Sequence, residues 1–247
     1  MIVNYTALGW EVITQRAHGL LAAQIAAQWK HSIRTERWIE TLLAIAEHDD
    51  AQVELERGNL LTAQGGPVDF KMKAFEQRHC SQTMDFALSK SRYIALLCSM
   101  HLGFVYGKEC ADNPDAAKFI KEQHAFQKQW RKELNLSVSE AKRDYRLLEW
   151  CDALSLLLCQ HDNQPEARSV EISNGPEDKK YQLIQTGPDI LTVEPWPFEQ
   201  DQFELSFEVR LIPQLEFKST EQFRSAFRQA RVTEKRWILK TGKPPKK

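Results

Sequence analysis

Four stretches of this sequence place apolar residues three and four apart, the spacing of one face of an α-helix. Each of those faces also carries a polar group that core packing alone does not call for. His18 lies with Leu21, Ala22, Ile25 and Trp29, and Trp38, Leu42 and Ile45 lead to His48–Asp49. His101 shares a face with Ile94, Leu97, Cys98 and Phe104, and Asp152 lies among Tyr145, Leu148, Leu156 and Cys159. An ionised carboxylate in an apolar interior is costly unless it is paired, hydrogen-bonded or bound to a cation. Asp152, inside LLEWCDALSLLLC, is the sharpest case. Singly, each residue has a local explanation: a satisfied core histidine, or an aspartate held by Arg143 or Trp150. Together, three imidazoles and two carboxylates form a coherent inner shell for a divalent ion. Neighbours on a regular helix point about 100° apart, so His48 and Asp49 can reach one ion only where a helix ends. The segment AIAEHDDAQ puts them at such an end, and Asp50 continues the acidic patch.

The rest of the chain frames these helices. Ile2–Tyr5 and Trp10–Thr14 read as a hairpin turning at Gly9, and Thr14 stands where an N-cap belongs. Helices are expected over 15–29, 35–48, 81–106, 114–134 and 137–160, the fourth opened by Pro114 and the last by the capping-box pattern SVSE. Residues 51–80 read as an irregular, lid-like segment. Residues 161–180 are polar and Pro/Gly-containing and read as a linker or exposed loop. Strands are expected at 181–185, 190–193, 203–212 and 236–240, with a helix near 219–231. The expected fold is therefore mainly α: a helical core over 1–160, with a small antiparallel β elaboration from the N-terminal hairpin and the strands of 181–247.

Composition narrows the class. Of 247 residues, 42% are hydrophobic and 27% charged, which excludes a wholly disordered chain. The opening MIVNYTALGW lacks a secretory pattern, and the apolar run Tyr93–Tyr106 is too short to span a bilayer. Five cysteines without a CxxC pair fit packed, reduced thiols, so a cytoplasmic location is expected. Residues 218–247 hold ten Lys/Arg against two Asp/Glu. Their stripe Arg224, Arg228, Arg231, with Phe223 and Phe227 on another face, fits a docked amphipathic helix better than a nucleic-acid reader. GxxxxGK[ST], GxGxxG and GxSxG are all absent.

The order His18, His48–Asp49, Asp152 resembles the ligand order of the HD superfamily of metal-dependent phosphohydrolases. Across nearly the whole chain, the segments ITQRAH, AIAEHDD, GGPVDF, SMH, LLEWCDALSL and PWPF resemble the bacterial domain of unknown function 3891 family. That family usually has Gly-Trp after the His-Asp-Asp run, where this chain has Ala51–Gln52. The resemblance implies an HD-like helical core in which His18, His48, Asp49 and Asp152 hold a divalent ion (Mn, Fe, Mg, Zn or Ni). It gives Asp50 and His101 catalytic, proton-moving or substrate-binding roles. The expected partner is a phosphorylated small molecule rather than a membrane or nucleic acid, and self-association into a homo-oligomer stays open. Two other readings stand beside this one. The first is a non-haem di-iron oxygenase using His18, His48–Asp49, His101, His124 and Asp152. The second is a non-catalytic binding or scaffold protein with a vestigial site.

Overall fold

The computed structural model describes residues 1–52, 55, 58 and 60–242. Parts of the expected lid-like segment (53, 54, 56, 57 and 59) and the end of the basic C-terminal stretch (243–247) lie outside the described residues. Strands β1 (Ile2–Thr6) and β2 (Gly9–Ile13) form the opening hairpin, followed by helices α1 (Gln15–Ala27) and α2 (Trp38–Glu47). Helices α3 (Gln77–Leu88), α4 (Arg92–Tyr106), α5 (Pro114–Glu133) and α6 (Val138–Cys159) follow. Strands β3 (Ser169–Asn174), β4 (Lys180–Gly187), β5 (Ile190–Glu194) and β6 (Gln202–Ile212) precede helix α7 (Thr220–Gln229) and strand β7 (Arg231–Lys240).

The expectation of a mainly α, HD-like helical core with minor β is overturned. Helix accounts for 48% and strand for 23%, and the strands form one seven-stranded mixed sheet curled into a half-barrel. Its order is β1-β2-β6-β7-β5-β4-β3, with β5 and β7 parallel and the other neighbours antiparallel. The sheet was hard to see because two of its strands lack the period-2 apolar pattern that marks a half-buried strand. In β7 only Trp237 and Leu239 are buried, and in β3 only Ile172. Strand β3 falls in the stretch expected to be a linker. The N-terminal hairpin enters the same sheet because β2 pairs with the far end of β6, Trp10 opposite Ile212 and Val12 opposite Arg210.

Strand β6 is the seam between sheet and helices. Phe203, Leu205, Phe207 and Val209 alternate inward, as the sequence pattern indicates, and join the main core with α1, α4 and α6. Helix α1 is tied to this strand by the Gln24 side chain. Its amide N–H donates to the Ser206 carbonyl at 2.9 Å, and its oxygen accepts from the Ser206 N–H at 3.2 Å. A second, smaller core gathers Met1, Val12, Leu60, Ile212, Phe217, Phe223 and Phe227, so α7 docks by its aromatic face. The Pro195–Phe198 turn joins β5 to β6, and Phe198 packs against Trp29 and Trp150.

The helix boundaries have local causes. Thr14, Ser91, Asn113 and Ser137 each cap a helix by accepting a backbone N–H, and Ser137 with Glu140 completes a capping box. The cap at Ser91 divides the expected 81–106 helix into α3 and α4. Among the described residues, no helix is long and apolar enough to cross a membrane.

Helices α1 and α2 cross in very close contact at Gly19. A Cβ there would lie 2.4 Å from the Ala46 carbonyl oxygen, two residues before His48. Gly19→Ala must therefore push α2 away from α1. A loss of about 1–3 kcal/mol is expected, as for other overpacked sites, read as a lower denaturation midpoint. Unchanged stability would contradict this packing.

Candidate metal centre

The close crossing of α1 and α2 sets the positions of the polar groups. His18 lies one turn into α1, and His48 caps the C-terminus of α2 with Asp49 just beyond. Asp152 enters from α6 and His101 from α4. His18 Nε2 and His48 Nε2 lie 3.2 Å apart. Asp152 Oδ1 is 3.2 Å from the first and 3.3 Å from the second. Asp49 Oδ2 stands slightly farther out, at 3.9 and 3.7 Å. One ligand atom from each of His48, Asp49 and His101 also falls within a 4.8 Å group. Ligands about 2.0–2.2 Å from one ion, at angles of about 90–110°, lie about 2.9–3.5 Å from one another. The His18–His48–Asp152 spacings fall inside that range.

The orientation of both rings is fixed from behind. His48 Nδ1 donates to the Ile45 carbonyl at 2.7 Å, one of the carbonyls that the end of α2 leaves without an intrahelical partner. Ser155 Oγ donates to the Asp152 carbonyl at 2.8 Å, so it accepts from His18 Nδ1 at 2.7 Å. With both Nδ1 positions donating, both Nε2 positions face inward, as metal-ligating histidines do. Asp49 is held likewise: Gln15 Nε2 donates to Oδ2 at 2.9 Å and Gln52 Nε2 to Oδ1 at 3.3 Å. The local partners considered for Asp152 are not used. Arg143 pairs with Asp144 at 3.1 Å, and the Trp150 indole N–H makes no hydrogen bond among the described residues.

These groups perturb one another strongly. Burial opposes charge on His48, but the Asp49 carboxylate, with the hydrogen bond and charge of Asp152, outweighs it and raises the imidazole pKa to about 9. Burial likewise works against an ionised Asp152, yet hydrogen bonds from His18 and His48 hold it well below the usual carboxylate range. Asp49 is only partly buried; desolvation opposes its ionisation, but His48 and then His18 lower its pKa. Burial and then the charge on His48 push His101 down to about 4, so its ring is neutral. A proton on His48 thus balances the carboxylates that crowd it.

Of the residues singled out from sequence, His18, His48, Asp49, Asp152 and His101 come together, and Asp50 does not join them. The Asp50 carboxylate pairs with Arg16 Nε at 3.0 Å, and its carbonyl accepts from the same guanidinium. His124 is exposed on α5, outside both ligand groups. The cluster forms the floor of a pocket of about 850 Å³, walled by α4, α6 and the described parts of the expected lid-like segment. Gln15, Ser155, Gln52, Lys71, Lys73, Arg78 and His79 were not expected at the site. Two of them left a signal: Gln15 lies three residues before His18, and Ser155 three after Asp152, each on its ligand's helix face.

Residues 1–214, which include every residue of the cluster, match a family described as protein of unknown function (DUF3891). The chain belongs to that family. No curated protein and no solved structure matches it. The DUF3891 match stops just after β6, so α7 and β7 complete the sheet and second core from outside the matched span.

A divalent ion entering this DUF3891 site at pH 7 must displace the His48 proton, because the raised pKa keeps that ring charged below about 9. Calorimetric titration in buffers of different ionisation enthalpy is expected to show release of about one proton per ion. The release should fade as the pH rises through 9. Binding without proton release would contradict the arrangement.

Proposed function

We propose that this chain is a divalent-metal-dependent hydrolase of phosphoesters of small organic molecules, using the HD-type ligand order within its own fold. The observation that carries the reading is the pair of Nε2 atoms facing each other at 3.2 Å beside the Asp152 carboxylate, each ring locked from behind. Neutral imidazoles and carboxylates in a tight group, at the floor of an open pocket, are the donor set of a hydrolytic metal site with positions left for water and substrate.

His18, His48, Asp49 and Asp152 would hold the ion, which supplies Lewis acidity toward a phosphoryl oxygen and acidifies water. The protein's own groups do the remainder. Ser155, the Ile45 carbonyl, Gln15 and Gln52 keep the ligands aimed, an outer shell whose removal typically costs about 10–100-fold in metal affinity or activity. His101, neutral and lining the pocket beside Asp49, is placed to exchange a hydrogen bond or a proton with substrate oxygen. Asp50, committed to Arg16, takes no part in this reading. The di-iron alternative needs His124, whose exposed position on α5 gives it no support.

The test is elemental analysis together with a phosphoester panel on metal-loaded protein. Wild type is expected to retain a divalent ion and hydrolyse at least one ester class, and Asp152→Ala to lose both. Ser155→Ala should weaken metal binding by about 10–100-fold while the fold persists. A metal-loaded wild type inert to the whole panel would overturn the reaction assigned here.

A further inference from the structure

The lining of the pocket carries cations that the candidate metal cluster does not use. Lys71, Lys73 and Arg78 all line the cavity, and all come from one short stretch between the turn at Phe70–Met72 and the first turn of α3. None of the three forms an ion pair among the described residues. Lys71 Nζ lies 5.9 Å from the centre of the Phe70 ring. Lys73 Nζ donates to Gln52 Oε1 at 3.5 Å, and the same amide donates to Asp49 Oδ1 at 3.3 Å. Lys73 is thus one side chain away from the cluster on the floor. Besides Asp49 and Asp152 of the cluster, two carboxylates share the cavity with these cations, Glu76 and Glu109. Glu109 is engaged in holding the wall, its Oε2 accepting from the Phe75 N–H at 2.9 Å. Leu102, Val105 and Leu156 add apolar surface to the same lining.

A single phosphoryl group bound at the floor would leave these three cations unused. A pocket lined by a candidate metal cluster, by three cations outside any ion pair among the described residues and by apolar side chains is complementary to a molecule that joins two anionic groups to an apolar body. We propose that the substrate carries, besides the scissile phosphoester, a second anionic group, a phosphate or carboxylate, held by Lys71, Lys73 and Arg78. The Arg78 guanidinium offers the planar fork that either oxyanion accepts in bidentate fashion. The apolar body between the two groups lies over Leu102, Val105 and Leu156. Gln52, bonded to both Asp49 and Lys73, sets the separation of the two anion sites and so acts as a positioning residue. This proposal deepens the hydrolase reading and rests on it for the location of the first anion.

Two non-hydrolysable probes that differ only in the second charge separate this idea from the reaction. Benzylphosphonate and 4-(phosphonomethyl)benzoate are titrated calorimetrically into the full-length, Mn(II)-loaded chain at low salt. The carboxylated probe is expected to bind roughly tenfold tighter, the scale of one added charge-assisted contact. In the triple variant Lys71→Gln/Lys73→Gln/Arg78→Gln that advantage should vanish, while metal content and benzylphosphonate affinity stay as in wild type. All three residues are exposed, so the variant is expected to fold, and its melting curve checks this. Equal affinity of the two probes, an advantage that survives in the triple variant, or no binding of either would overturn the proposal. Because the readout is binding, a chain that discriminates the probes but hydrolyses no phosphoester would sink the reaction and leave the two-anion pocket standing.

Discussion

Two imidazole nitrogens that face each other across 3.2 Å in a buried interior cannot both be bare lone pairs without a cation near them. Both rings are buried, and their other nitrogens are already committed to Ser155 and the Ile45 carbonyl. In the metal-free chain the compensation is a proton on His48, held by Asp49 and Asp152. That constraint organises the surrounding structure. Gly19 lets α2 come close enough for His48 to meet His18, and Gln24 fixes α1 to the long strand β6. Asp152 is tolerated in an apolar helix because its carboxylate lies 3.3 Å from the charged His48 ring and 3.2 Å from His18.

The half-barrel gives this centre its support. Because β2 and β7 both pair with β6, the two ends of the chain close on one sheet, and α1 lies on that sheet's inner face. The helices bearing the ligands are thus braced by strands distant in sequence. Among the described residues, those of 68–76 line the pocket beside the cluster with little regular structure beyond the turn at Phe70–Met72. The proposed ligands stand on helices or at a helix end, and two of the three cations proposed to face substrate, Lys71 and Lys73, precede α3, the division expected where geometry and selectivity are separate demands.

The site was more legible in the sequence than the fold. His18, Asp152 and His101 stood out because an imidazole or carboxylate in an apolar helical stripe needs a partner, and pairing across helices follows from burial alone. The position of His48–Asp49 at a helix end was readable from AIAEHDDAQ. Asp50 was misread because adjacency in sequence does not give side-chain direction: one step past Asp49, the chain turns it toward Arg16. Lys71 and Lys73 were missed because they lie in irregular chain, where no periodicity reports which way a side chain points, and Arg78 because α3 begins at Gln77, ahead of the helix expected from 81. The sheet was underestimated at β3 and β7, whose mostly exposed residues follow tertiary pairing rather than local pattern.

The most direct measurement is a crystal structure of the natively purified chain with anomalous data collected at the absorption edge of whatever metal elemental analysis identifies. The expected result is one peak lying about 2.0–2.2 Å from His18 Nε2, His48 Nε2 and Asp152 Oδ1 together, with Asp49 completing the shell. The account would be contradicted by imidazoles turned outward, or by a peak elsewhere in the molecule while these three atoms contact only one another.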